Sequence, residues 1–289
     1  LAAPTDAGEP RPDVAASGGE TVRDTVGEDA EADRDSAREP VFTGVNLSLP
    51  GDFTFLVGPN GIGKSTLMLL AGARIFPQQG RITIAGRDTR EFENAGFEPE
   101  VEATRNELVS FVYQNMEFET DAPIDEVLRL VARNGADPAA AQAIYDTLID
   151  EAHLDTRLGA PMHELSKGEM QRAIVAMSML YGSPVVMMDE PVFAVEPARA
   201  ERLFEWLKAH CRDTDTDIYI SVHDVELARR FAESVVLMHT DGTIEAGAPS
   251  ELLSRDRLEQ AFRAPYDTLY RRQNLYRRLL NRSIGDAPF

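Results

Sequence analysis

The sequence predicts an α/β fold built on a mostly parallel, helix-covered sheet, and three observations carry that prediction. The apolar run Phe53-Thr54-Phe55-Leu56-Val57 passes through a glycine-rich turn into Leu67-Met68-Leu69-Leu70-Ala71, which reads as strand, turn and helix. Val185-Val186-Met187-Met188 is apolar throughout, with none of the alternation of a half-exposed strand, so it reads as buried. Beyond residue 53 strands alternate with helices, the order that produces parallel sheets.

Residues 1–40 carry eleven Asp/Glu against four Arg and almost no large apolar side chain. Such a segment cannot bury enough surface to offset its ordering entropy, so it reads as a disordered acidic tail, either solvated or regulatory. Ordered sequence begins near Val41. Val41 to Leu49 and Arg81 to Ala85 read as short strands, punctuated by Pro50-Gly51 and Gly86. Arg87 to Asn106 is charged and patternless, and Leu108 to Gln114 is a further strand candidate. Ile124, Val127, Leu128 and Val131, then Ala141, Ile144 and Leu148, recur at helical spacing. Asp137-Pro138 supplies the cap and first turn of the second of these helices. Further helices are expected over 168–181, near 197–210 and from Asp224, with a strand at Ile218 to Val222. Val235 to Met238 and Gly242 to Ile244 read as a closing hairpin around Asp241-Gly242. From Pro265 to Arg282, Leu269, Tyr276 and Leu280 recur beside Arg271, Arg272, Arg277, Arg278 and Arg282. That amphipathic basic stretch suits an anionic membrane surface or partner, and equally a helix docked on its own domain.

The net charge of −20 argues against a general nucleic-acid binder, which would carry a basic face. A single cysteine, Cys211, excludes an internal disulfide and fits a reducing compartment. No apolar run is long enough to span a bilayer, so any role in a membrane process would run through a partner.

The turn after residue 57 reads Gly58-Pro59-Asn60-Gly61-Ile62-Gly63-Lys64-Ser65-Thr66, with the spacing of a phosphate-binding loop. Glycines let successive backbone N–H groups turn inward around an anion, and the helix starting near Lys64 adds its positive end. Lys64 would reach the outer phosphates and Ser65 would take a place on Mg²⁺. Further on, the buried strand 185–188 ends in Asp189-Glu190. Carboxylates at that end of a parallel strand face the ligand crevice. There Asp189 would hold Mg²⁺ through water and Glu190 would polarise the attacking water. Leu165-Ser166-Lys167-Gly168-Glu169 opens a helix and reads as a second anion site or as an ordinary helix start. Gln114 and His223 each close a strand; taken alone, Gln114 reads as a surface glutamine and His223 as a satisfied structural histidine.

The order of these features resembles the ATP-binding cassette (ABC) ATPases over about residues 41 to 262. Leu165 to Glu169 looks like that family's signature, and residues 115–164 look like its helical subdomain. The resemblance implies a P-loop NTPase core with a mostly parallel sheet, an antiparallel β subdomain and an inserted helical subdomain; 263–289 would be a C-terminal basic extension. It also implies that two cassettes pack head to tail around two ATP. Each ATP would meet Lys64, Ser65, Thr66, Gln114, Asp189, Glu190 and His223 of one subunit and Ser166 and Gly168 of the other. His223 would hold the γ-phosphate, and Gln114 would meet Mg²⁺ and report to the helical subdomain. The implied partners are a second copy and transmembrane permease subunits, at the cytoplasmic face of the membrane. Gly247-Ala248-Pro249-Ser250-Glu251-Leu252-Leu253 looks like the ending of importers of metal chelates, siderophores or cobalamin. An exporter subunit and a soluble cassette, such as an iron–sulfur assembly ATPase, are the alternatives.

Three departures stand out. Lys167 replaces the first glycine of the signature pair, where an outward side chain would be tolerated. Glu196 stands where the family usually has Asp. No aromatic occurs at 30–40, where the family's adenine-stacking ring is expected. Phe42 is the nearest ring, and its position suits a core strand.

Overall fold

A computed structural model describes residues 40–114, 116, 118 and 120–269. The expected acidic tail and the arginine-rich stretch from residue 270 lie outside the described residues.

β1 (Phe53–Val57) runs into the glycine turn and α1 (Lys64–Ala71). β2 (Thr83–Ile84) and β3 (Arg87–Asp88) form a small antiparallel ladder, followed by α2 (Pro99–Leu108) and β4 (Val109–Val112). α3 (Ile124–Asn134), α4 (Pro138–Glu151) and α5 (Lys167–Tyr181) come next, then β5 (Val185–Asp189) and α6 (Pro197–Asp213). The chain closes with β6 (Asp217–Ser221), α7 (Val225–Phe231), β7 (Ser234–Met238), β8 (Ile244–Gly247), α8 (Pro249–Leu252) and α9 (Arg255–Phe262).

Six strands share one sheet in the order β4-β5-β6-β1-β7-β8. All neighbours are parallel except β8, which returns antiparallel beside β7 as the expected hairpin. Alternate residues feed opposite cores. Phe53, Phe55, Val186, Met188, Ile218 and Ile220 pack with α3 to α7, and Leu56, Val185, Met187 and Tyr219 pack on the α1 side. Both faces are covered, which is why these strands read as continuous apolar runs. Edge-to-face contacts among Phe53, Phe55, Phe204 and Phe231, at 5.1–6.3 Å, tie β1 to α6 and α7.

Local signals were mostly honoured. Asp137 caps α4 by accepting from the Ala140 N–H, with Pro138 at the first turn. Two expectations fail. Val41 to Leu49 is not a strand: Val41 and Val45 are exposed at 58% and 43%, and no strand among the described residues pairs with the segment. Alternation alone does not make a strand without a partner to complete the ladder. The patternless stretch 87–106 holds α2. Its cues are terminal rather than periodic: Pro99 at the first turn, Glu100 and Glu102 beside the positive end, Arg105 in the last turn.

After α9 the chain turns at Arg263, whose φ is 48°. Tyr266 and Leu269 then pack back on the core, and the Tyr266 N–H donates to Glu259 at 2.9 Å. The start of the expected extension is therefore docked on its own domain.

Candidate functional site

The sheet order explains the site. β4, β5, β6 and β1 are consecutive neighbours and parallel, so their carboxyl ends lie side by side. Gln114 follows β4, Asp189 and Glu190 end β5, His223 follows β6, and the glycine turn follows β1. Asn60, Gly61, Gly63, Lys64, Ser65, Thr66, Gln114, Glu190 and His223 line one cavity of about 330 Å³. Separate strand ends thus meet as the topology rule for parallel sheets requires.

Within the turn, Gly61 and Gly63 have φ of 74° and 106°, the left-handed region that glycine enters without strain. A Cβ on Gly63 would lie 2.9 Å from Phe42 Cζ. Phe42 therefore sits against the glycine turn from an irregular segment, and the expectation of a core strand is corrected. Lys64 is buried, and its ammonium donates to the Gly58 and Pro59 carbonyls at 2.9 and 3.1 Å. Burial lowers its pKa, opposed by Glu190 and Asp189.

Glu190 is held from both sides. Gln114 Nε2 donates to Glu190 Oε2 at 2.9 Å, and His223 Nε2 pairs with Oε1. Its φ of 50° is rare for a residue with a side chain, and its N–H donates to Ser221 Oγ at 3.1 Å. Asp189 lies behind the cavity wall, 8% exposed, and accepts from Ser221 Oγ. Ser221 is a residue the sequence reading passed over; a serine closing an apolar strand carries no periodic or motif signal.

Ser166 and Gly168 do not line this cavity. Ser166 caps α5 with a reciprocal box: its hydroxyl accepts from the Glu169 N–H, and Glu169 Oε2 accepts from the Ser166 N–H at 2.9 Å. Both Ser166 and Lys167 are exposed at this helix start. A Cβ on Gly168 would meet the Ala194 carbonyl at 2.5 Å, so the helix start is seated on the loop that follows Glu190. Arg172 bonds Gly168 O and the Ala152 and His153 carbonyls, joining α5 to the end of α4. Glu196 pairs with Arg199 at 3.3 Å.

The donor set fits a nucleotide phosphate with its magnesium. Inward-turning glycines, a buried lysine, a hydroxyl at the helix start and adjacent carboxylates are what such a group requires. Among the described residues no His, Cys, Asp and Glu group is placed to hold a metal by itself.

The family model for ABC transporters matches residues 42–193, more than half of the chain. The chain belongs to the ABC transporter family. This family member is 32% identical over 225 residues to the nickel import ATP-binding protein of Rhodobacter capsulatus, covering 76% of the chain and 87% of that relative. It is 30% identical over 219 residues to the pyoverdine export ATP-binding/permease protein of Pseudomonas entomophila, covering 75% of the chain and 33% of that relative. Three other curated relatives are also much longer, and the chain spans 40%, 41% and 38% of them. A solved ATP-binding subunit of an ABC transporter superposes with a TM-score of 0.63 at 23% identity, covering 81% of this chain and 93% of that one. A dimeric ATP-binding cassette with ADP and Pi superposes at 0.60 and 24% identity, covering 72% and 90%. At those identities the likeness establishes the fold: a mostly parallel sheet with a small antiparallel ladder and helices.

Proposed function

We propose that this chain hydrolyses ATP as half of a head-to-tail pair with a second copy, and that the pair drives a membrane transporter. The observation that carries the reading is the convergence of Lys64, Gln114, Glu190 and His223 on one cavity that Ser166 and Gly168 do not line. A site complete in phosphate-binding and water-activating groups, but lacking its signature residues, is what a composite site leaves on each copy.

In this reading the backbone of Gly58 to Thr66 takes the phosphate oxygens, and Lys64 leaves the Gly58 and Pro59 carbonyls for the outer phosphates. Each charge-assisted hydrogen bond there is worth about 1.5–3 kcal/mol. Ser65, Gln114 and Asp189 would hold Mg²⁺, which when bound neutralises charge on the phosphates. Glu190 orients or activates the attacking water. Gln114 and His223 each engage one of its oxygens, which fixes the carboxylate's orientation and leaves a second lone pair on each oxygen to accept from a water. His223 then turns toward the γ-phosphate, and Gln114 carries the change to α3 and α4. The second copy contributes its Ser166 hydroxyl, Gly168 backbone and the positive end of α5.

No helix among the described residues is long and apolar enough to cross a membrane. In this reading transmembrane permease subunits supply the path across the membrane, with this chain peripheral at the cytoplasmic face and no nucleic acid involved. Import is the preferred direction, supported by the nickel-import relative and by the Gly247 to Leu253 ending. The export relative supplies the competing direction, which transport assays with the permease would decide.

Glu190→Gln tests the chemistry. A carboxylate that acts on water is dispensable for binding and not for turnover. The variant should bind ATP, hydrolyse it at least about a hundredfold more slowly and accumulate as an ATP-bound pair. Turnover close to the unsubstituted rate would assign the role elsewhere.

A further inference from the structure

We propose that Ser221 is a positioning residue whose hydroxyl sets both carboxylates of β5, a proposal that rests on the hydrolysis reading above. Four of the five positions of β6 are buried, and Ser221 at its end is 0% exposed. A polar side chain there needs partners, and the parallel register supplies them by setting Ser221 directly opposite Asp189.

The hydroxyl has one proton and two lone pairs. An ionised Asp189 only accepts and the Glu190 N–H only donates, so the proton's place is fixed. Ser221 Oγ donates to Asp189 Oδ1 and accepts from the Glu190 N–H at 3.1 Å. One atom therefore grips two consecutive residues with different tasks. It uses one oxygen of Asp189, which restrains the carboxylate's rotation and leaves the other oxygen free of Ser221, so that Asp189 would hold Mg²⁺ through water. It also satisfies the N–H of Glu190 where β5 has ended and the backbone has turned to a φ of 50°. That turn carries the Glu190 side chain sideways to Gln114 and His223. A valine at 221 would fill the strand as well, yet leave a buried carboxylate oxygen and a part-buried N–H without this partner.

The test compares Ser221→Ala, Ser221→Thr and Ser221→Cys in the full chain. Without nucleotide, hydrogen exchange of a peptide spanning Glu190 should speed up in Ser221→Ala and stay near the unsubstituted rate in Ser221→Thr. ATP affinity in the presence of EDTA should stay within about twofold for all variants, whereas the affinity gained on adding Mg²⁺ should shrink in Ser221→Ala. Its kcat should fall about tenfold or more at unchanged KM, and Ser221→Thr should restore it, a loss expected for one hydrogen bond to a charged group. Ser221→Cys keeps the shape with a poor donor, and carries the same comparison if the alanine variant does not fold. Unchanged exchange, Mg²⁺ dependence and kcat in a folded alanine or cysteine variant would overturn the proposal. So would a threonine variant as defective as alanine. An unsubstituted chain that binds ATP without hydrolysing it would reject the hydrolysis reading instead, because the exchange measurement needs no turnover.

Discussion

Gly168→Ala places two effects of opposite sign on one position. Alanine inside a helix is worth about 0.5–1 kcal/mol over glycine, which favours α5. The added Cβ would lie 2.5 Å from the Ala194 carbonyl, and that neighbour is backbone, not a flexible side-chain tip. Overpacking of this kind costs about 1–3 kcal/mol, so the net loss should be about 0–2.5 kcal/mol and the variant should fold. Relief requires the Ala194 carbonyl to retreat by roughly 1 Å, and a misplacement of that size can cost on the order of a hundredfold in rate. The loop that must move begins at Glu190, already held at a φ of 50° by three contacts. The expected result is therefore a small shift in the urea midpoint with a fall in ATP turnover of about a hundredfold. Lys167→Ala, one residue away and exposed, is the control and should change neither. A folded Gly168→Ala that hydrolyses ATP within about twofold of the unsubstituted chain would refute the coupling between the helix start and the loop that follows Glu190.

Two further outcomes follow from named contacts. Burial pushes the Glu169 carboxyl up, but the Ser166 N–H and hydroxyl, then Arg157 and Arg172, hold it below its ordinary value of 4.5. A depressed folded-state pKa stabilises above the unfolded value and is lost as pH falls through the folded one. The stability gap between this chain and Glu169→Gln, which keeps the cap but not the charge, should therefore close below about pH 4.5 and stay under about 1 kcal/mol above it, read by urea titration at stepped pH. Phe42 packs on the glycine turn and is not placed in a strand, while phosphate contacts dominate affinity. GTP should accordingly be hydrolysed within about tenfold of ATP, and Phe42→Ala should weaken both alike; ATP preference that vanishes in Phe42→Ala would make the ring a base-stacking group.

The site was more legible than the edges of the fold. Lys64 and Glu190 stand in local motifs at strand ends, whereas Gln114 and His223 were named only through the family resemblance; parallel strands bring all four to one cavity. Helix α5 announced its start through Ser166 and Glu169, whose reciprocal bonds are local. Helix α2 was missed because its apolar side chains make no stripe and its evidence is electrostatic. Val41 to Leu49 misled in the opposite sense, since a strand is defined by a partner that sequence does not specify. Ser221 could not have been found by reading along the chain. Its role depends on standing opposite Asp189, 32 residues earlier, and only the register reveals that.

The central claim is that one chain holds an incomplete ATP site and a second copy completes it. Specific ATP hydrolysis measured against protein concentration tests this most directly. The account predicts activity per chain that rises with concentration, approaching zero where the chain is monomeric by scattering and levelling off as pairs form. Activity per chain that stays constant into the monomeric range would contradict it.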